Sequence, residues 1–294
     1  MPTAASNGIE LYYETFGDPD DPPLLLVNGL GGQLISWDVP FCEGLVDRGF
    51  FVIRYDNRDV GLSTHFDVEL DVMAAILGLF AGEPADAPYL LSDMAADGIG
   101  LLDHLGIDRA HVLGVSMGGM IVQTMAIEHR ERLLSMTSIM STTGDPDVGQ
   151  PDAEVLPILM APAAPDREAY VQAQLAQWKL IGSPDHYDPE RVAERAGAAY
   201  DRAYWPRGTA HQLLAILASG SRSDALRDLD LNTLVIHGDV DRLVNVSGGE
   251  RTAECIEGSE LIIVEGMGHD LPSEFWARII EAVTALAARS AAPA

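Results

Sequence analysis

The sequence predicts an α/β protein, with a mostly parallel central sheet, helices on both faces and an inserted helical segment. Three observations predict it. Short, nearly continuous apolar runs such as Leu24-Leu25-Leu26-Val27 and Thr233-Leu234-Val235-Ile236-His237 alternate with helical stretches, as strands buried on both faces of a parallel sheet do. That alternation stops between residues 142 and 228 and then resumes. Gly114-Val115-Ser116-Met117-Gly118-Gly119 sets a serine between an apolar strand and a helix, the setting of a sharp strand-to-helix turn.

Taken in order, Ile9 to Phe16 alternates as a strand and Gly17-Asp18-Pro19 closes it. Leu24–Val27 is a buried strand that runs into Asn28-Gly29-Leu30-Gly31-Gly32. Trp37 to Arg48 is helical up to Gly49, and Phe51–Tyr55 is a strand. Met94 to Leu105 is an amphipathic helix, with Ser92 or Asp93 as N-cap and Gly106 past its end. Arg109–Leu113 is the strand before Ser116, Met120–His129 the helix behind it, and Leu133–Met140 the next strand.

Residues 142–228 lack strand signals and carry Pro146, Pro151, Pro157, Pro162 and Pro165. Helical stretches follow at Arg167–Ile181, Pro189–Tyr204 and Thr209–Ala218, with Trp178, Tyr187, Tyr200, Tyr204 and Trp205 among them. Strands return at Thr233–His237 and Glu260–Val264, and Ser273–Ala288 is a long final helix. The expected division is a core of residues 1–141 and 229–294 with a helical cap at 142–228.

Net charge is −27, from 45 acidic against 18 basic residues. Such a surface repels phosphate, which argues against nucleic acid and anionic membranes as partners. Met1 to Glu10 shows no signal-peptide pattern, and cytoplasmic residence is the expectation. The apolar run Val72–Ala81 is too short to span a bilayer and reads as a loop or short helix near a pocket mouth. Cys42 and Cys255 have no metal-type spacing and read as free buried thiols. Gly29-x-Gly31-Gly32 is not a dinucleotide fingerprint, no P-loop lysine follows it, and H-E-x-x-H and C-x-x-C are absent. Neither a cofactor nor a metal is therefore expected.

A serine hydroxyl needs a base to become a nucleophile, and the base needs an acid to orient it. Ser116 is the candidate nucleophile. His269, in Glu265-Gly266-Met267-Gly268-His269-Asp270 just past the last strand, is the candidate base. His104 and His129 fall in or at the end of helices, His111 begins a strand, and His237 ends one as a polar plug at the sheet edge. His65, His186 and His211 lie in loop or insertion segments, where a lone histidine is solvated. Of the two aspartates after Thr233–His237, Asp241 lies farther out and is the candidate acid; Asp239 follows Gly238 as a turn former. The helix behind Ser116 offers the Met117 N–H to a developing oxyanion, and the glycine-rich loop offers Leu30 N–H, with Gly29 and Gly31 as competitors. Asp56 and Arg58, in the charged loop Tyr55–Gly61, read as structural.

Together these residues resemble the α/β-hydrolase superfamily with a helical cap, over essentially the whole chain. The order Ser116, Asp241, His269 is that of the family. Within it, Leu25-Leu26-Val27, Ile53-Arg54-Tyr55-Asp56 and Gly266-Met267-Gly268-His269-Asp270-Leu271-Pro272 are similar to small bacterial carboxylesterases and to the methylesterase branch that trims aromatic polyketides such as aclacinomycins. Two departures stand out: Asn28 replaces the common histidine of His-Gly-x-Gly, and Val244-Asn245-Val246 stands where a Val-Pro pair is common. Serine at residue 116, where haloalkane dehalogenases and many epoxide hydrolases carry aspartate, argues against those chemistries.

The resemblance implies a serine carboxylesterase acting on a small-molecule ester with apolar, short- to medium-chain or methyl groups. The same three residues would serve perhydrolysis as in cofactor-free haloperoxidases, or lactone or thioester hydrolysis. From a different class, a non-catalytic ligand-binding protein of this fold is the remaining alternative.

Overall fold

An eight-stranded sheet carries the fold in the computed structural model, which describes residues 2–71, 74–75, 78, 87–159 and 161–291. The strands are β1 (Thr3–Ser6), β2 (Ile9–Phe16), β3 (Pro23–Val27), β4 (Phe51–Tyr55), β5 (Ala110–Val115), β6 (Leu133–Ile139), β7 (Thr233–Gly238) and β8 (Glu260–Val264). They lie side by side as β1-β2-β4-β3-β5-β6-β7-β8. Only the β1–β2 and β2–β4 pairs are antiparallel. The helices are α1 (Val39–Val46), α2 (Leu91–His104), α3 (Met117–Glu128), α4 (Leu156–Leu159), α5 (Arg167–Ile181), α6 (Pro189–Arg202), α7 (Pro206–Ser219), α8 (Ser223–Arg227), α9 (Ser247–Cys255) and α10 (Ser273–Ala291).

The two-residue period of a strand splits the core in two. From β3, Leu25 and Val27 pack with α2 and α3, where Met94, Leu101, Ile121 and Met125 are buried. Leu24 and Leu26 face the other side, with Phe41 of α1 and Ile279 and Val283 of α10. Both faces of the sheet are thus covered, which is why β3 is apolar on both sides and even the polar residues of β6, Ser135, Thr137 and Ser138, are buried.

Several local expectations need correcting. Strand β1 was not anticipated, because Thr-Ala-Ala-Ser has no apolar run. The turn Asn7-Gly8, with φ of 47° and 81°, pairs it to β2, as two successive positive φ angles do in a tight hairpin. Ser92 and Asp93 do not cap α2: it begins at Leu91, and Asp93 reaches back from its third position to accept the Leu90 N–H at 2.8 Å. The helix expected at Trp37–Arg48 is a 3₁₀ turn at Leu34–Ser36 followed by α1. Helix α3 starts at Met117, because Ser116 alone makes the turn. Helix α9 went unseen behind its Ser-Gly-Gly opening, a weak helix former. The run Val72–Ala81 lies mostly outside the described residues.

In the insertion, α5 spans Arg167–Ile181 as expected, α6 stops at Arg202, and α7 starts three residues early at Pro206. Gln33, after β3, donates to Ala199 and Ala203 carbonyls at 2.7 and 2.8 Å. His269 N–H, after β8, donates to Ile181 O at 2.7 Å. The helical segment therefore sits over the carboxyl ends of the parallel strands. Tyr170, Tyr200 and Tyr204 pack on one another between α5 and the end of α6, the last two rings 4.5 Å apart. No described helix is long and apolar enough to cross a membrane.

Candidate active site

At the end of β5 the chain turns into α3 at one residue, Ser116, with φ 55° and ψ −120°. A non-glycine residue holds that conformation only where its surroundings force it. The force is close crossing: a Cβ on Gly114 would lie 2.0 Å from Gly118 O, and one on Gly118 2.1 Å from Val27 O. Strand and helix touch backbone to backbone, and the apex is pinned by Ser116 N–H donating to Ile139 O at 2.9 Å. Ser141 Oγ–H donates to Ser116 O at 2.8 Å.

His269 Nε2 lies 2.9 Å from Ser116 Oγ, and its Nδ1 lies 2.7 Å from Asp241 Oδ2. A carboxylate can only accept, so Nδ1 carries the proton and Nε2 presents its lone pair to the serine hydroxyl. The structure thus brings together the three residues singled out from sequence, from the loops after β5, β7 and β8. Asp241 Oδ1 accepts the Leu243 and Val244 N–H groups, each at 2.9 Å. Burial opposes its charge, yet His269 and His237 outweigh burial and hold the carboxyl well below the usual carboxylate range. Asp239, exposed, accepts Gly266 N–H at 2.7 Å and so ties the Asp241 loop to the His269 loop.

Sequence reasoning missed the residues that hold these three. Ser183, fully buried, fastens the His269 loop on both sides: it accepts Gly268 N–H at 2.9 Å and donates to Asp270 Oδ1 at 2.6 Å. Its position in the insertion carries no local signal of this. His237 is buried in β7, an interior strand, so it is no plug at a sheet edge. Its Nε2–H donates to Val244 O at 2.8 Å. His211, read as solvated, is also buried, with Nδ1 2.9 Å from Asp59 Oδ2 and Nε2 2.9 Å from Val68 O.

The glycine-rich loop after β3 lies against the serine: a Cβ on Gly29 would meet Ser116 Cβ at 3.1 Å. Asn28 closes that loop, donating from Nδ2 to Gln33 O at 3.1 Å. Gly31 N–H is taken by Gln212 Oε1 at 2.8 Å, which removes it as a competitor of Leu30. Leu30 N–H has no acceptor among the described residues. Met117 N–H, in the first turn of α3, has no carbonyl a turn earlier in the helix to bond.

Asp56 accepts Leu34 N–H at 2.7 Å and Leu62 N–H at 2.9 Å, and pairs with Arg202 at 2.7 Å. Arg58 is paired with Asp97 at 2.6 Å. Both anchor loops beside the site, and neither bonds to Ser116, Asp241 or His269. Cys42 and Cys255 are buried free thiols, and burial pushes Cys42 up to about 12. Among the described residues no group of three metal-ligating side chains converges.

A family model described as alpha/beta hydrolase fold matches residues 22–274. The chain is 30% identical to rhodomycin D methylesterase DnrP of Streptomyces peucetius, over 92% of this chain and 93% of that one. It is 27% identical to 3-oxoadipate enol-lactonase 2 of Acinetobacter baylyi, over 90% and 88%. The crystal structure of the enol-lactonase from Burkholderia xenovorans superposes with a TM-score of 0.74 at 23% identity, covering 97% of this chain and 99% of that chain.

Proposed function

The chain belongs to the α/β-hydrolase family, and from that premise we propose that it hydrolyses carboxylic esters through an acyl-enzyme on Ser116. The observation that carries the reading is the continuous path from Asp241 Oδ2 through His269 to Ser116 Oγ, in two steps of 2.7 and 2.9 Å. His269 Nε2 takes the serine proton as Oγ attacks the ester carbonyl. The tetrahedral oxyanion is met by the N–H groups of Met117 and Leu30. The alcohol departs with the proton from His269, leaving an acyl-serine. Water gives a proton to His269, attacks the acyl carbon, and the acid leaves as Ser116 regains its proton. Asp241 holds the ring and stabilises the imidazolium in each half.

Residues 142–228 act as a cap that forms the outer wall of the substrate site. Their Leu, Trp and Tyr content supports an apolar ester, of short to medium chain or a methyl ester. The relative named as a methylesterase supports the second of these. The relative named as an enol-lactonase supports a second reading, hydrolysis of a lactone by the same steps.

The test is a p-nitrophenyl ester series from acetate to long acyl chains, with a methyl ester and a lactone alongside, given to wild type and Ser116→Ala. Wild-type turnover that vanishes in Ser116→Ala, together with loss of organophosphonate labelling, is the expected result. Stoichiometric labelling of Ser116→Ala would remove the nucleophile assignment, and a polar sugar ester as best substrate would remove the apolar-substrate reading.

A further inference from the structure

Gln212 sits in the middle of α7 and is fully buried. Its Oε1 accepts the N–H of Gly31 at 2.8 Å, and its Nε2 donates to the carbonyl of Arg58 at 2.8 Å. A backbone N–H can only donate and a carbonyl can only accept, so one amide orientation fits. The side chain therefore joins three segments: the insertion, the glycine-rich loop after β3, and the loop after β4. Gly31 has φ 67°, and Thr209, one turn earlier on α7, lies where a side chain at Gly31 would go, its Oγ1 3.0 Å from that Cβ position. Helix α7 is itself fixed by the next residue back, His211, through Asp59 and Val68.

We propose that Gln212 is a positioning residue for ester hydrolysis, holding the glycine-rich loop so that Leu30 N–H faces the oxyanion. The inference rests on the hydrolase reading above. Gly29, Leu30 and Gly31 supply three consecutive N–H groups beside Ser116. By engaging Gly31, Gln212 fixes the peptide plane that follows Leu30 and takes Gly31 out of the set, while neither Gly29 N–H nor Leu30 N–H has a protein acceptor among the described residues. Without it, the Gly31 N–H loses its buried acceptor, and that plane turns to find another. A donor that shifts by an ångström stabilises a tetrahedral oxygen poorly while ground-state binding is little changed. The insertion would thus complete the reaction centre as well as cover it.

The experiment compares wild type, Gln212→Met and Gln212→Glu against an alkyl trifluoromethyl ketone, which adds to serine as a tetrahedral adduct, and the matching unfluorinated ketone, which stays trigonal. In Gln212→Met, kcat/KM for p-nitrophenyl butyrate and trifluoromethyl ketone affinity are expected to fall together, by about tenfold or more. Affinity for the plain ketone should stay within about twofold, since uniform binding is untouched. Gln212→Glu, whose protonated carboxyl offers the same acceptor and donor, should recover most of the loss. Should Gln212→Met fail to fold in a thermal melt, Gln212→Asn, too short to span both partners, is read in the same way. Equal losses for both ketones, or no loss for either, would overturn the positioning role. A wild type that the trifluoromethyl ketone does not inhibit through Ser116 would overturn the hydrolase reading itself, and the proposal with it.

Discussion

His237 Nε2 lies 3.5 Å from Asp241 Oδ2, the same oxygen that faces His269 Nδ1 at 2.7 Å. Two buried histidines therefore share one carboxylate oxygen, one from β7 beneath it and one from the loop above. His237 also donates to Val244 O, which sets the Nε2–H tautomer and the path of the Asp241 loop.

Replacing His237 by Phe removes that N–H and keeps the bulk. Loss of a polar contact to a charged group, about 1.5 kcal/mol, is worth about tenfold in rate. We expect kcat for a p-nitrophenyl ester to fall by about that factor while KM moves little. An unchanged kcat in steady-state assays would show that Asp241 is held well enough by the Leu243 and Val244 N–H groups alone.

Arg58 and Asp97 are a buried ion pair, 5% and 1% exposed. The guanidinium also lies over the Tyr89 ring, 4.9 Å from its centroid. Removing one partner strands the other charge in the core. Arg58→Met is expected to lower unfolding free energy by about 3–5 kcal/mol, and Arg58→Met with Asp97→Leu to recover much of it. Urea denaturation reads both, and a double variant no more stable than the single one would mean that the pair does not act as a unit.

His111, at the start of β5, is buried and bonded through Nδ1 to Ser135 Oγ at 2.7 Å. Burial, with the Arg109 charge adding to it, lowers it to about 4. In the unfolded chain it takes a proton near 6.5, so acid favours unfolding. The stability from a neutral His111 is full above about 6.5. It is lost as pH falls from there towards 4, by about 1.4 kcal/mol per pH unit at most. Denaturation of wild type and His111→Gln across this range should show their difference shifting against wild type as pH falls. A difference that is flat from pH 7 to 5 would contradict this, as would an imidazole that titrates near 6.5 by NMR.

With a net charge of −27, the folded chain repels itself. Salt shortens the reach of that repulsion, to about 10 Å at 0.1 M. The melting temperature is therefore expected to rise as sodium chloride goes from near zero to a few tenths molar at neutral pH. A melting temperature that falls over this range would show that the surface pairs, such as Arg167–Asp201 and Arg289–Glu260, outweigh the net repulsion.

Much of this protein was legible in local sequence. Apolar runs at the period of a buried strand marked β3, β4 and β7, because burial on both faces leaves no room for polar alternation. Gly114, Ser116 and Gly118 marked the turn, since only glycine tolerates backbone contact on either side of it. The positions of Asp241 and His269 followed from which loops leave the carboxyl ends of parallel strands. Strand β1 could have been found too, from Asn7-Gly8.

What only the tertiary structure decided are the contacts that hold those residues. Gly31 and Gln212, Gly268 and Ser183, and His211 and Asp59 are separated by 181, 85 and 152 residues. Helix and strand signals come from neighbours a few positions apart, and carry nothing about which distant loop a buried amide will meet. A buried polar side chain must find a partner, but the partner is chosen by where the insertion comes to rest over the sheet. The candidate nucleophile, base and acid could therefore be picked from residue types and spacing, whereas the contacts that hold their loops are set by the packing of the insertion against the core.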